Sequence, residues 1–289
     1  MSKKTLFLAG DSTVQSYPES VRPQTGWGQV LWEFFKDKDK CNAYVRPDAP
    51  GEHCVTYEMP EFKIENHAIA ARSSRSFIEQ GRLDEIMKVA KPGDYLTIQF
   101  AHNDAYKERE ERYVPVSAYG EWIKRYYNAC RDRGMTCIFI TPVTMRVFDG
   151  DKCLIAFKEY RDEMLRFSKI LEVPCVDLSK ESTDLISHMG SEAARDAFLW
   201  LYPGEYPDSD FKDGASDNAH FQEYGARLMA SIVAKGIKGL TGFEELKPLQ
   251  EAIGNDFRVE RPKRTLPDGF TWTEGNAAEN AESEIIKRE

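Results

Sequence analysis

Apolar, β-branched runs recur along the chain, and between them apolar positions fall three and four residues apart. The runs "TLFLAG" (5–10), "FKIENHAI" (62–69), "DYLTIQFA" (94–101), "TCIFITPV" (136–143) and "VPCVDL" (173–178) predict strands. The helical spacing predicts helices over "GRLDEIMKVAK" (81–91), "SAYGEWIKRYYNACRDRG" (117–134), "AFKEYRDEMLRFSKILE" (156–172) and "FQEYGARLMASIVAKGI" (221–237). Gly134 and Pro92-Gly93 stand where helices should stop. Five near-continuously hydrophobic strands alternating with helices predict an α/β protein: a five-stranded parallel sheet covered on both faces, in three α/β/α layers. Crossovers should be right-handed, and in such a sheet the chemistry sits at the carboxyl ends of the strands.

Three segments fall outside that pattern. Residues 42–61, rich in Pro and polar residues, read as an inserted loop or hairpin before the second strand. Residues 183–216 read as a long irregular stretch ahead of the last helix. The chain therefore divides into a domain over 1–240 and a partly irregular C-terminal extension over 241–289, a segment through which copies of the chain would associate. No internal repeat is present.

Composition narrows the class. The chain has 289 residues, 41% of them hydrophobic and 12% aromatic, enough for a packed core. A formal net charge of -9 argues against a nucleic-acid or anionic-membrane partner. No run approaches the roughly 20 apolar residues of a membrane span. The start "MSKK" leads straight into "TLFLAG", too short for a signal core, which predicts a cytoplasmic protein. Six cysteines form no CxxC pair and several lie in apolar runs, so buried free thiols are expected rather than disulfides or a zinc site.

The strand ends carry the candidate chemistry. The first strand ends in Gly10-Asp11-Ser12, the second near "AIAARSSRS" (68–76), the third in Ala101-His102-Asn103-Asp104, and Asp217-Asn218-Ala219-His220 precedes the last helix. Acyl transfer from a hydroxyl needs a base, a group to orient that base, and donors for the developing oxyanion. Ser12, His220 and Asp217 fit nucleophile, base and orienting acid. The Asp-x-x-His spacing lets the carboxylate reach Nδ1 and leaves Nε2 for Ser12. The Asn103 amide, with the backbone N–H groups of Ser12 and Ala71, would form the oxyanion hole.

The blocks "GDS", "NHAIAARSS", "FAHND" and "DNAHF" resemble the SGNH/GDSL hydrolase superfamily in order and spacing. More narrowly, "GDSTV", "GWGQVL" (26–31), "ARSSRSFI" (71–78), "TPVTMRVF" (141–148) and "DNAHFQEYGARLMA" are similar to the rhamnogalacturonan acetylesterase branch. The resemblance covers roughly residues 5–237 and implies the flavodoxin-like SGNH fold. It implies Ser12, Asp217 and His220 as the triad and Asn103 as the oxyanion-hole asparagine. Two positions depart from the family pattern: Ala71 and Ala101 stand where the family usually has glycine. Alanine keeps the N–H donor but adds a methyl and gives up easy access to positive φ.

Other readings of the same residues are simpler. Ser12 could cap a helix, His220 could be a turn histidine satisfied by Asp217, and Asn103 could only stabilise its loop. His102, Asp104 and Asp11 read as braces of their turns, and His53, His67 and His188 as solvent-facing or structural. A two-metal phosphoesterase would draw on Asp11, His102, Asp104, Asp217 and His220, but its first strand should end in Asp-x-His. "DSDFKDG" (208–214) loosely suggests a calcium loop, yet Lys212 occupies a ligand position. A non-catalytic carbohydrate-binding protein on this fold is the third alternative.

The resemblance implies deacetylation of plant cell-wall fragments, rhamnogalacturonan or pectin oligosaccharides first and acetylated xylan or other esters second, with no metal or organic cofactor. An acetyl group is small, so specificity must come from sugar contacts. Arg72, Arg75 and Arg146 would suit an acidic fragment, and Trp27, Trp200 and Tyr202 are candidates to stack on sugar rings.

Overall fold

Along the first strand, alternate side chains enter two different cores. Leu6 and Leu8 pack in one, with Ile64, Ile138 and Ile140, while Phe7 and Ala9 pack in the other, with Leu96, Ile98 and Phe139. A strand whose two faces are both apolar must be covered on both sides, and this makes the molecule three layers deep.

The computed structural model describes residues 3–47 and 54–272. Its strands are β1 (Lys4–Gly10), β2 (Asn42–Val45), β3 (Val55–Glu58), β4 (Phe62–Asn66), β5 (Tyr95–Gln99), β6 (Thr136–Ile140), β7 (Phe148–Asp149), β8 (Lys152–Cys153), β9 (Cys175–Val176), β10 (Phe198–Leu201) and β11 (Ala215–Phe221). Its α-helices are α1 (Trp27–Val30), α2 (Ser74–Glu79), α3 (Arg82–Val89), α4 (Val116–Arg133), α5 (Lys158–Leu171), α6 (Leu178–Ala194), α7 (Glu223–Gly239) and α8 (Lys247–Ala252). The main sheet has the order β2-β3-β4-β1-β5-β6-β9. The five predicted strands are its parallel members, although the fifth contributes only Cys175 and Val176. The stretch 42–61 adds two antiparallel strands at one edge, making seven in all. All six cysteines are free.

The chain reverses direction across the sheet at β1, which lies between β4 and β5. Loops leaving β1 and β5 therefore diverge and open a crevice at their carboxyl ends. Helices α3, α4 and α5 cover the Phe7 face through Ile86, Tyr119, Ile123, Tyr126 and Met164. The opposite face is covered chiefly by α7, whose Ala226, Met229, Ala230, Val233, Ala234 and Ile237 recur at helical spacing and are fully buried. Each large apolar side chain so buried contributes roughly 1.5–3 kcal/mol.

The irregular stretch expected over 183–216 is largely regular. Helix α6 runs to Ala194, broken at Gly190 (φ 77°, ψ 161°), and residues 198–221 form the β10–β11 hairpin. The pattern was hidden because Gly190 interrupts the helical spacing, and the hairpin's strands flank a turn rich in Pro, Gly and Asp. In consequence the last helix starts at Glu223, and Asp217 and His220 ride on a strand rather than on the turn before a helix.

Residues 241–272 lie against the domain. Leu246, Leu249 and Ile253 are buried in the α7-side core. Further on, Arg264 bonds the Glu205 carboxylate at 2.5 and 2.6 Å and the Trp200 carbonyl at 2.5 Å, while Trp272 meets Trp200 edge-on at 5.5 Å. These contacts strap the hairpin that carries Asp217 and His220. Among the described residues no helix is long and apolar enough to cross a membrane. Leu246→Ala should destabilise the whole domain by about 2–5 kcal/mol in urea unfolding, the cost of a core truncation. An unchanged midpoint would show that this segment is not part of the cooperative unit.

Candidate active site

The turn after β1 is built from its own polar side chains. No helix follows Ser12; residues 11–14 form a turn in which Val14 and Gln15 donate to the Asp11 carbonyl at 3.2 and 3.1 Å. The Asp11 carboxylate accepts from the Thr13 backbone at 3.0 Å and its hydroxyl at 2.7 Å. Gly10 is required here, because a Cβ would sit 2.6 Å from Val14 Cγ2 and 3.0 Å from the Gln99 carbonyl. Beneath the turn, the Trp27 indole donates to Gln99 at 2.7 Å, and Gln99 donates to the Thr13 hydroxyl at 2.8 Å. Tyr17 donates to the Ser12 carbonyl at 2.8 Å.

His220 comes to this turn from β11. Its Nε2 lies 2.9 Å from Ser12 Oγ, and its Nδ1 lies 2.7 Å from Asp217 Oδ2. Asp217 Oδ1 accepts from the backbone N–H groups of Ala219 (2.7 Å) and His220 (2.9 Å). Burial alone would push the Asp217 carboxyl up, but the His220 ring and these N–H donors outweigh it and hold it at about 2. Asp217 thus stays an anion across the neutral range, and its bond to Nδ1 fixes the proton there and turns Nε2 toward Ser12.

Asn103 lies in the loop after β5. Its Nδ2 donates to the Arg72 carbonyl at 3.1 Å, and its Oδ1 accepts from Arg112 Nη1 at 2.9 Å. The neighbouring polar groups brace the loops, as the sequence suggested. His102 Nε2 lies 3.1 Å from the Val143 carbonyl, and Asp104 takes the Ser74 backbone N–H at 3.0 Å and its hydroxyl at 2.5 Å. Burial pushes the Asp104 carboxyl up to about 7, against the pull of the Ser74 bonds and with the help of the Asp11 charge. Among the described residues no three His, Cys, Asp or Glu side chains converge as a metal site. His53 lies outside the described residues, and His67 is buried against Glu65.

Two alanines adopt positive φ: Ala71 at 62° and Ala101 at 153°. L-residues there carry backbone strain of about 1–3 kcal/mol.

Three of the four main candidates for sugar contact lie elsewhere. Trp27 and Trp200 are fully buried and offer no face to a ring. Arg146 is buried as well; it donates to the Asn218 side chain at 3.2 Å and the Ser191 carbonyl at 2.9 Å, and it stacks on Trp200 at 4.7 Å. Trp200 donates to the same Asn218 oxygen at 3.0 Å. Arg146 and Trp200 thus hold Asn218, the residue next to Asp217 on β11. Periodicity marks such residues as apolar or cationic but cannot say which side of a loop they occupy. Arg72 is half-buried at the site, and Arg75 donates to the Glu110 carbonyl at 2.5 Å. Tyr202 is partly buried against Phe270, 5.9 Å between rings. Tyr17 and Arg112, which touch Ser12 and Asn103, escaped the sequence reading. Arg112 sits in "YKEREERY", a run that looks like an ordinary solvated surface.

A serine hydroxyl on an imidazole that is itself held by a carboxylate, at the switch point of a parallel sheet, is equipped for acyl transfer to and from serine. The GDSL-like lipase/acylhydrolase family model matches residues 6–233. The chain is 35% identical over 243 residues to a rhamnogalacturonan acetylesterase, RhgT, of Bacillus subtilis (strain 168), covering 83% of this chain and 93% of that protein. It is 34% identical over 250 residues to a probable rhamnogalacturonan acetylesterase, YesY, of the same organism, covering 86% and 96%. Among solved structures, the Bacillus subtilis protein YXIM superposes with a TM-score of 0.62 at 22% identity, over 84% of this chain and 58% of that one. A catalytic mutant of Axe2, an acetylxylan esterase from Geobacillus stearothermophilus, gives 0.54 at 15%, over 84% and 96%. The chain belongs to the GDSL-like lipase/acylhydrolase family and is a carboxylic ester hydrolase.

The strain argument sorts the two alanines. Ala71 is exposed, so Ala71→Gly relieves φ without losing packing and should gain roughly 0.5–1 kcal/mol after the entropic cost of glycine. The Ala101 methyl is buried, so Ala101→Gly should come out near neutral, within about 1 kcal/mol. Urea melts read both, and a clearly destabilised Ala71→Gly would contradict the positive φ.

Proposed function

We propose that this protein removes O-acetyl groups from rhamnogalacturonan-type pectin oligosaccharides through an acetyl-enzyme on Ser12. The observation that carries the reading is the continuous chain Ser12 Oγ–His220 Nε2 (2.9 Å) and His220 Nδ1–Asp217 Oδ2 (2.7 Å). The substrate class follows from the two relatives named as rhamnogalacturonan acetylesterases, or probable ones, each matched over most of its length.

In the first half-reaction Ser12 Oγ attacks the acetyl carbonyl carbon while His220 Nε2 takes the hydroxyl proton. Asp217 stabilises the imidazolium by charge and by its bond to Nδ1. The carbonyl oxygen becomes an oxyanion, received by an Asn103 Nδ2–H and the backbone N–H groups of Ser12 and Ala71. Collapse breaks the bond to the sugar oxygen, which leaves with the proton from His220. Water, deprotonated by the same imidazole, attacks the acetyl carbonyl carbon; the bond to Ser12 Oγ then breaks, Oγ takes the proton back from His220, and acetate leaves.

The test is acetate release from acetylated rhamnogalacturonan, xylan and mannan oligosaccharides. The rhamnogalacturonan fragment should give the highest kcat/KM, and Ser12→Ala should lower turnover by at least about 10³-fold. Turnover near the wild-type rate in Ser12→Ala would remove the mechanism, and preference for xylan would reassign the substrate.

A further inference from the structure

We infer that Arg112 is a positioning residue for the proposed oxyanion hole: its guanidinium fixes which end of the Asn103 amide faces the reacting carbonyl. The inference rests on the reading of Ser12 and Asn103 given above. A primary amide has a carbonyl and an NH2 group of nearly the same shape, so sterics alone do not stop it turning over. Turned over, Asn103 would aim a lone pair at the oxyanion and repel the charge it should stabilise.

Two one-way partners prevent this. Guanidinium carries only donors, and Arg112 Nη1 lies 2.9 Å from Asn103 Oδ1. A backbone carbonyl only accepts, and that of Arg72 lies 3.1 Å from Asn103 Nδ2. Each partner disfavours a flip, and both are needed to hold the amide in one orientation. The NH2 group spends one hydrogen on Arg72 and keeps the second for the substrate. The guanidinium charge beside Oδ1 also polarises the amide and strengthens that remaining donor.

Arg112 is itself held in place. The loop from Asp104 returns on itself, with Val114 N–H on the Asp104 carbonyl at 2.9 Å. The Tyr160 hydroxyl spans both ends, 2.7 Å from the Val114 carbonyl and 3.2 Å from that of Asp104. The guanidinium lies over the Tyr106 ring at 5.2 Å. Among the described residues its Nε is buried with no hydrogen-bond partner.

The experiment compares Arg112→Ala, Arg112→Lys and Arg112→Gln with Asn103→Ala and the Arg112→Ala/Asn103→Ala double variant. It reads kcat, KM, thermal midpoint and inhibition by a boronic acid that forms a tetrahedral adduct on serine. Arg112→Ala should lower kcat by about 10–100-fold with KM nearly unchanged, short of the 10²–10³-fold loss of a whole oxyanion donor. Boronic acid affinity should fall in parallel with kcat. Lysine, also donor-only, should retain more activity than glutamine, whose amide can present either end. In the Asn103→Ala background, Arg112→Ala should cost less than about twofold, because its only route to the reaction is gone. Full kcat in Arg112→Ala, equal losses in both backgrounds, glutamine matching lysine, or a loss explained by a lowered thermal midpoint would each overturn the inference. An inactive Ser12→Ala beside a fully active Arg112→Ala defeats this inference alone, whereas an active Ser12→Ala defeats the underlying reading.

Discussion

The hydrogen bond from Ser12 to His220 joins residues 208 positions apart, and most of the architecture serves to make it possible. Ser12 is delivered by the middle strand of the seven-stranded sheet and His220 by a hairpin outside that sheet. The two are tied just beyond the reactive atoms, where Thr25 N–H meets the Phe221 carbonyl at 3.0 Å and Gln24 bridges Gln222. Gln222 in turn bonds the carbonyls of Phe198 and Arg195 at 2.7 and 3.1 Å, fixing the hairpin to the end of α6. The C-terminal strap, through Arg264 and Trp272, closes the hairpin from the other side. None of these contacts touches the chemistry, yet each removes a degree of freedom from the imidazole.

Electrostatics at the site follow the same economy. The protein carries a net charge of -9, and three carboxylates cluster near the strand ends, but each is assigned a separate task. Asp217 is held ionised beside His220, Asp11 shapes the turn beneath Ser12, and Asp104 anchors the first residue of α2. The elevated Asp104 reflects how little solvent remains there. A low local dielectric of this kind strengthens whatever donors face a developing oxyanion. Ala71 and Ala101, in the loops after β4 and β5, both take positive φ, a backbone region that favours glycine.

Much of this was legible in the sequence. The alternation of apolar runs and helical spacing identified the five parallel strands, because strands buried on both faces have little choice of composition. The meeting of Ser12, Asp217 and His220 could be read because polar side chains at strand ends fall in short, ordered blocks. The hairpin over 198–221 was not legible, since its pairing is non-local and its turn looks like a loop. Trp27, Arg146 and Trp200 were misplaced for a related reason: an aromatic or arginine beside a strand end can face the cleft or the core, and only tertiary packing decides. Arg112 was hidden in a charged run whose composition is that of any solvated surface.

The central claim is that Ser12, activated by His220 and Asp217, is the residue that becomes acylated. Its most direct test is reaction of the intact protein with a fluorophosphonate, followed by mass spectrometry of the peptide that carries the adduct. One adduct should form on Ser12, with labelling slowed by orders of magnitude in His220→Ala. An adduct on another serine, or labelling that persists unchanged in Ser12→Ala, would contradict the account.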